Sequence, residues 1–236
     1  MLSGPGATPA YRLAWAIIHP LFRLLYRMRV IGLHNVPREG PIVLASNHVS
    51  NIDPVFVGAA CNRQVHFMAK VELWSFRPLG WLVQALGAFP VRRGEADREA
   101  IRTALELLDE AAVVGIFPEG RRQMAGKLGE PQPGVALLSM RAGVTTIPVL
   151  LRGTDRILRR KRLGFPRVTV RFGPPVPAEA EPGTGVSGTV AEARGDGGRS
   201  RAERHREFSG RLMAALQALL DEAEREEAMG GAGRAA

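Results

Sequence analysis

The sequence has one cysteine and no uncharged run long enough to cross a bilayer. A lone Cys61 excludes an internal disulfide and a cysteine-rich zinc site, so a reducing compartment is expected. The longest stretch without Asp, Glu, Lys or Arg is the 14 residues 78–91, whereas a spanning helix needs about 20. The amino terminus also lacks the order of basic, apolar and small residues that marks a signal peptide. We therefore predict no transmembrane span and a cytoplasmic location.

Lysine is scarce as well, since three of the 32 basic residues are lysine and 29 are arginine, and the formal net charge is +9. Arginine favours bidentate recognition of phosphate and carboxylate groups. The charge alone is compatible with nucleic acid, an anionic membrane surface or a phosphorylated small molecule as partner. The sequence has no recognised nucleic-acid motif, Walker loop or dinucleotide fingerprint, so neither nucleic acid nor a cofactor is expected.

The distribution of apolar residues predicts an α/β fold. Between residues 30 and 172, short apolar runs bounded by Gly, Pro or polar residues alternate with helical patterns. The predicted strands are IVLAS, VHFMA, AFPVR, VVGIF, TTIPVLL and RVTVRF. We predict a single layered domain over residues 30–176, with a central, mostly parallel or mixed sheet flanked by helices. Asp97 is expected to cap the helix that follows GEAD.

Both ends of the chain predict further elements. Residues 1–29 contain an amphipathic helix, about 10–28, with arginines beside its apolar residues and Pro20 as a candidate kink. This helix either lies in a membrane interface, where its aromatic residues contribute, or packs on its own domain. Residues 177–200 are rich in Gly, Pro, Ala and Ser and predict a flexible linker. Residues 201–236 predict a helix with one apolar face, followed by a disordered tail.

The stretch NHVSNIDP, residues 47–54, places His48 and Asp53 five positions apart directly after a predicted strand. On one straight helix the two side chains would be roughly 140° apart, because each residue turns about 100°. They can meet if His48 lies in the loop and Asp53 begins the next helix as its cap, with Pro54 in the first turn. Asp53 would then fix the imidazole tautomer and leave a general base. The alternatives are a helix cap without catalysis and, less favoured, a metal site.

Two further stretches follow predicted strands and carry charged residues at the sheet edge where ligands usually bind. In GAFPVRRG, Arg92 and Arg93 are candidates for holding a phosphate, or they solvate the strand end. In FPEGRRQ, Glu119 precedes Gly120, which permits close approach of the backbone, although Pro-Glu-Gly is also an ordinary turn. The order of the blocks within about 100 residues favours a shared site over independent turns.

The combination resembles the glycerolipid acyltransferase family, specifically the bacterial 1-acyl-sn-glycerol-3-phosphate acyltransferases. The resemblance covers roughly residues 30–175 and four blocks in the family order. The matched residues are Asn47, His48 and Asp53 for NHxxxxD, Gly87, Phe89 and Arg93 for the second block, residues 117–120 for FPEG, and Ile147, Pro148 and Val149 for the proline-containing strand. In many members an acidic residue stands at Arg92 and a small hydroxyl residue at Arg121, which leaves the acceptor open.

The resemblance implies that His48 deprotonates the free hydroxyl of a lysophospholipid, which then attacks an acyl thioester, while Asp53 orients the imidazole. The substrate would supply the nucleophile, which agrees with the absence of a GxSxG serine motif. The residues expected to contact substrate are Asn47, Arg93, Glu119, Gly120, Arg122 and Pro148. No metal or cofactor is expected, and acyl-CoA or acyl carrier protein would be the acyl donor.

The expected product is phosphatidic acid, formed at the cytoplasmic side of the cell membrane with the N-terminal helix in peripheral or monotopic contact. The segment WSFRPLGWLVQALG, with Trp74, Phe76 and Trp81, would also lie beside lipid, or else belong to the core. An alternative enzyme would use another acceptor, such as glycerol 3-phosphate or a different lyso-lipid. A non-enzymatic alternative is a basic membrane-binding or nucleic-acid-binding module.

Overall fold

A computed structural model describes residues 7–91, 97–159, 162–181 and 199–232 of the chain. The helices are α1 (Pro9–Leu25), α2 (Asp53–Ala60), α3 (Arg77–Ala85), α4 (Arg98–Asp109), α5 (Pro133–Ala142) and α6 (Arg201–Ala232). The strands are β1 (Arg29–Ile31), β2 (Ile42–Ser46), β3 (Val65–Lys70), β4 (Phe89–Val91), β5 (Val113–Ile116), β6 (Thr146–Arg152), β7 (Leu158–Arg159), β8 (Arg162–Leu163) and β9 (Thr169–Phe172). All six predicted strands are present.

Seven strands form one mixed sheet in the order β1-β9-β6-β2-β5-β3-β4, and β7 and β8 form a separate hairpin. The neighbours from β6 to β4 are parallel, whereas β9 runs antiparallel to β6 and β1 pairs in parallel with β9. The predicted fold class, a mostly parallel or mixed sheet flanked by helices, is confirmed. Every residue of the central strand β2 is buried, as expected for a strand covered on both faces.

The two faces of the sheet pack against different helices. On one face, Leu44 packs with Phe56 of α2 and Phe22 of α1. On the other face, Val43 packs with Leu108 of α4 and Leu138 of α5. The helix α4 begins as predicted, because the Asp97 carboxylate accepts hydrogen bonds from the amides of Glu99 and Ala100. The layers therefore agree with the alternation of strands and helices along the chain.

The N-terminal helix α1 has one face on the domain and one face in solvent. It begins after Thr8, which accepts a hydrogen bond from the Tyr11 amide, and it continues through Pro20 to Leu25, three residues before the predicted end. Its aromatic residues Tyr11 and Phe22 are buried and contact α2 and the sheet, which agrees with the alternative that this helix packs on its own domain. The exposed apolar residues of α1 are Leu13, Ile17, Leu21, Leu24 and Leu25.

The carboxyl-terminal part of the chain packs back onto the sheet. The predicted apolar face of α6 is buried, and it consists of Phe208, Leu212, Leu216, Leu219 and Ala223. Before α6, residues 177–181 also contact the domain, since the Glu181 amide donates to the carbonyl of Met140 and its carboxylate accepts from Arg201 and His205. The rest of the predicted linker, up to residue 198, and the tail from residue 233 lie outside the described residues. In the described ranges no helix is both long and apolar enough to cross a membrane.

Candidate active site

The candidate site lies at the carboxyl ends of parallel strands, where open α/β sheets usually bind ligands. Strand β2 ends at Ser46 and is followed by the loop that carries His48, and the neighbouring strand β5 ends at Ile116 before FPEG. The two loops touch, because the amide of Gln123 donates a 2.7 Å hydrogen bond to the carbonyl of His48. The sheet therefore brings the first and third sequence blocks together.

His48 and Asp53 form a buried hydrogen-bonded pair, as the sequence predicts. The Nδ1–H of His48 donates to Oδ2 of Asp53 over 2.8 Å, which leaves Nε2 without the proton of the neutral ring. Asp53 is fully buried and His48 is nearly so. The pair therefore has the geometry of an imidazole base held by a carboxylate.

Asp53 reaches His48 by a different route from the predicted helix cap. It is the first residue of α2, with Ile52 in the capping position, so its carboxylate does not bond the first amides of its own helix. Instead, Oδ2 accepts hydrogen bonds of 2.7 Å from the amides of Val49 and Ser50, because the loop folds back over the start of α2. The cap prediction was wrong, and the loop amides take the place of the helix amides.

The imidazole of His48 also stacks on the aromatic ring of Phe117, the first residue of the FPEG block, and this contact was not predicted from the sequence. The ring centroids of His48 and Phe117 are 4.0 Å apart with an interplanar angle of 22°, and Phe117 stacks in turn on Phe67. The Phe67 ring lies over Gly115, where an added Cβ would come within 2.3 Å of it. An aromatic residue at the end of a strand beside a polar loop was the available signal for this contact.

Asn47 and Pro148, both expected to contact substrate, have structural roles in this arrangement. The Asn47 side chain is buried and forms two hydrogen bonds with the main chain of Leu151, accepting from N over 2.7 Å and donating to O over 3.1 Å. Pro148 is buried within β6, where its carbonyl accepts a hydrogen bond from the amide of Gly173. Both residues connect β6 with its neighbours, and a contact with substrate stays a prediction for each.

Glu119 and Gly120 form the turn at the end of the FPEG block. Glu119 is buried, and its Oε2 accepts a 3.1 Å hydrogen bond from the Gly129 amide, while Oε1 has no hydrogen-bonding partner within the described part of the chain. Burial raises the pKa of the Glu119 carboxyl, opposed by the amides of Gly129 and His48. Gly120 adopts φ +65° and a Cβ there would approach Gln132 to 2.9 Å, so the turn requires glycine. Substrate contacts by Glu119 and Gly120 also stay predictions.

A cleft of about 430 Å³ opens beside the imidazole. It extends along β3, from Val65 to Lys70, and is enclosed by residues of α1, α2 and α3. Among the described residues, most of its lining is apolar and two of the side chains, Lys70 and Arg122, are cationic. Arg122 was among the predicted substrate contacts, and its contact with substrate stays a prediction. Lys70, which follows the predicted strand VHFMA and is the last residue of β3, was not among them. Arg92 and Arg93 lie outside the described residues.

The arrangement has the parts that acyl transfer to a hydroxyl requires, namely a general base, an apolar cleft and cationic side chains. In the part of the chain that the structure describes, no three His, Cys, Asp or Glu residues are grouped as metal ligands.

Comparison with known proteins adds an independent finding. A family model described as Acyltransferase matches residues 27–152. The chain is similar to the 1-acyl-sn-glycerol-3-phosphate acyltransferase of Bacillus subtilis, with 34% identity over 96 residues, covering 40% of this chain and 48% of that protein. It is also similar to a chloroplastic 1-acyl-sn-glycerol-3-phosphate acyltransferase of Arabidopsis thaliana, with 29% identity over 136 residues, covering 56% of this chain and 38% of that protein. The matched segment thus spans half or less of these two relatives.

The fold has a counterpart among solved structures. The crystal structure of the 1-acyl-sn-glycerophosphate acyltransferase from Thermotoga maritima matches with a TM-score of 0.61 and 19% sequence identity, covering 89% of this chain and 81% of that chain. At this identity the match concerns the fold alone.

Proposed function

The chain belongs to the acyltransferase family, and from this premise we propose that it transfers a fatty acyl group from an acyl thioester to the free sn-2 hydroxyl of 1-acylglycerol 3-phosphate. The product would be phosphatidic acid. The observation that carries the proposal is the buried His48–Asp53 pair, whose imidazole lines an apolar cleft together with two cationic side chains. The relatives named as 1-acyl-sn-glycerol-3-phosphate acyltransferases support this acceptor.

The proposed reaction uses the substrate hydroxyl as nucleophile. Nε2 of His48 takes the hydroxyl proton while the oxygen attacks the thioester carbonyl, and Asp53 stabilises the imidazolium that forms. When the tetrahedral intermediate collapses, the carbon–sulfur bond breaks and the proton on Nε2 passes to the leaving thiolate. General-base catalysis of this kind contributes about 10²- to 10⁴-fold in rate, and alignment of the two substrates in the cleft supplies a further part.

The cleft suits an acyl chain in size and composition. An apolar cavity of about 150 Å³ holds benzene, with six carbons, and the cleft of about 430 Å³ is almost three times as large. Strand β3 gives the cleft a length of about 16 Å from Val65 to Lys70, at about 3.3 Å per residue. Part of a fatty acyl chain would therefore lie along β3, beside the imidazole of His48.

The phosphate of the acceptor would bind at Arg122 and Lys70. Both line the same cleft as His48, and guanidinium and ammonium groups are the usual protein ligands of phosphate. We propose the same phosphate-binding role for Arg93, because it belongs to the second sequence block. The donor would be acyl-CoA or acyl carrier protein, which share the thioester.

The exposed apolar residues of α1 and α3 suit a membrane surface from which a lipid acceptor is taken. On α1 these are Leu13, Ile17, Leu21, Leu24 and Leu25, and near and in α3 they are Phe76, Leu79, Trp81 and Leu82. Such a set beside arginines is typical of interfacial rather than spanning contact. Of the three aromatic residues expected there, Phe76 and Trp81 are exposed and Trp74 is partly buried.

The direct test measures acyl transfer by the purified full chain with lysophosphatidic acid, glycerol 3-phosphate and lysophosphatidylcholine as acceptors, each with acyl-CoA and with acyl carrier protein thioester. Lysophosphatidic acid should be the preferred acceptor, and His48→Ala should lose at least about 10²- to 10⁴-fold in kcat while its circular dichroism stays that of the wild type. The matched control is His34→Ala, an exposed histidine, which should keep full activity. Near-normal turnover in His48→Ala would refute the mechanism.

A further inference from the structure

Thr154 contacts the His48–Asp53 pair although it lies about 100 residues further along the chain. It opens a single 3-10 turn, Thr154–Arg156, directly after β6. The residue is fully buried, and its Oγ1 donates a 2.6 Å hydrogen bond to Oδ1 of Asp53. It does not line the cleft, so its side chain faces the carboxylate and not a bound substrate.

The chain at the end of β6 turns so that the Thr154 hydroxyl lies beside Asp53. Gly153 adopts φ +93°, and a Cβ there would lie 2.2 Å from the carbonyl oxygen of Arg167, so the chain can turn sharply out of the strand only with glycine. Two residues before Gly153, the two hydrogen bonds between Asn47 and the main chain of Leu151 fix the strand end to the loop of His48. The turn at Gly153 and the hydrogen bonds of Asn47 thus both fix the position of Thr154 beside Asp53.

The four hydrogen bonds to the Asp53 carboxylate are divided unequally between its oxygens. Oδ2 accepts from His48 Nδ1 and from the amides of Val49 and Ser50. Oδ1 has Thr154 as its partner within the described residues. A buried carboxylate oxygen that loses its donor is strongly destabilised, and the carboxylate would then rotate to share the remaining donors between both oxygens.

We propose that Thr154 is a positioning residue, which holds Oδ1 of Asp53 so that Oδ2 stays aligned with Nδ1 of His48 and Nε2 stays the basic nitrogen. The kinetic part of this inference rests on the proposed acyl transfer. The hydrogen-bond part does not, because it concerns the state of the His48 ring in the free protein.

The first test replaces Thr154 by Val, which removes the hydroxyl at nearly constant volume. The kcat should fall by about 10- to 100-fold, as for loss of a hydrogen bond to a charged group, while KM for acceptor and donor stays the same. Thr154→Ser, which restores the hydroxyl, should recover most of the kcat. A wild-type kcat in Thr154→Val would overturn the proposal, as would a change confined to KM.

A double-mutant cycle separates this role from a general loss of packing. If Thr154 acts through the carboxylate, Thr154→Val should add little to the loss already caused by Asp53→Asn, because the two substitutions remove parts of one unit. Fully additive losses would show that Thr154 acts elsewhere.

Proton NMR provides a readout that needs no substrate. The deshielded Nδ1–H signal of His48, assigned by its loss in His48→Ala, should broaden or disappear in Thr154→Val and return in Thr154→Ser. If Thr154→Val does not fold, Thr154→Ala serves in its place, since it puts no methyl group against the carboxylate. An unchanged signal would refute the positioning role. A Thr154-dependent signal in a protein that acylates none of the acceptors would instead refute the proposed function and keep the positioning role.

Discussion

The exposed apolar stripe of α1, formed by Leu13, Ile17, Leu21 and Leu24, should govern binding to lipid. The exposed fractions of these residues are 65, 57, 43 and 77%, which together equal about 2.4 fully exposed side chains. Burial of one such side chain contributes about 1.5–3 kcal/mol, so burial of the stripe in the membrane interface would contribute about 4–7 kcal/mol. This is enough to give measurable binding before any electrostatic attraction is added.

The perturbation is the double substitution Leu13→Gln and Leu24→Gln, which removes the two most exposed members and keeps a residue of high helix propensity. Their exposed fractions correspond to about 2–4 kcal/mol, and each 1.4 kcal/mol is tenfold in affinity. We expect the affinity for vesicles to fall by about 30- to 1,000-fold. Exposed arginines such as Arg12 and Arg23 should make binding stronger to anionic than to neutral vesicles.

The assay is co-sedimentation of the full chain with vesicles of phosphatidylcholine, with and without phosphatidylglycerol. Met229→Gln is the matched control, because Met229 is 70% exposed on α6 and its loss removes a similar apolar surface outside α1. The reasoning is refuted if the double variant binds like the wild type, or if Met229→Gln weakens binding as much.

Two further substitutions test the FPEG block. Arg122→Ala should raise KM for the phosphorylated acceptor by about 10- to 100-fold, as for loss of a hydrogen bond to a charged group, and leave KM for the donor unchanged. The control is Arg121→Ala, which changes a neighbouring arginine that does not line the cleft and should have little effect on either KM. Equal effects of the two substitutions would contradict the phosphate-binding role of Arg122. Burial raises the pKa of Glu119 in the folded protein, so its protonated form favours folding. This contribution to the free energy of unfolding is fully present below the ordinary Glu pKa of about 4.3 and is lost as the pH rises through the pKa of Glu119 in the folded protein. The free energy of unfolding of the wild type relative to Glu119→Gln, from urea denaturation at several pH values, should therefore decline as pH rises from about 4, and a pH-independent difference would contradict it.

The sheet could be predicted from the sequence because its strands are continuous apolar runs with clear boundaries. The IVLAS run becomes β2, whose five residues are all buried. A strand that is covered on both faces has a continuous apolar sequence, which identifies it as a strand of a parallel sheet. The strands that were missed are the three-residue β1 and the two-residue β7 and β8. Segments of two or three residues are too short to show a period.

The orientation of α1 was harder to predict than its existence. Helical spacing identified an amphipathic segment, but the segment carries two different apolar faces, one aromatic and one aliphatic. Phe22 stacks on Phe56 at 4.2 Å, and this contact depends on where α2 lies, which the residues of α1 do not specify. Aromatic residues are common both at membrane interfaces and in cores, so the residues of α1 alone left both alternatives open.

In the candidate site, contacts between residues close in the sequence could be predicted and contacts between distant residues could not. His48 and Asp53 are five residues apart, so a loop followed by a helix start was sufficient to predict their contact. Asn47 with Leu151 and Asp53 with Thr154 are 104 and 101 residues apart. Such contacts follow from the pairing of β2 with β6, and no spacing rule reveals them.

The two faces of α1 connect the proposed chemistry with the proposed membrane contact. Ala14, Trp15 and Ile18 line the cleft, whereas Leu13, Ile17 and Leu24 are exposed on the same helix, and at about 100° per residue the two sets point roughly 120° apart. Under the proposed function, this one helix would separate an acyl chain in the cleft from lipid outside. Because both sets belong to one helix, we expect movement of α1 at a membrane to change the width of the cleft, which would couple the proposed acyl-chain selection to the proposed membrane binding.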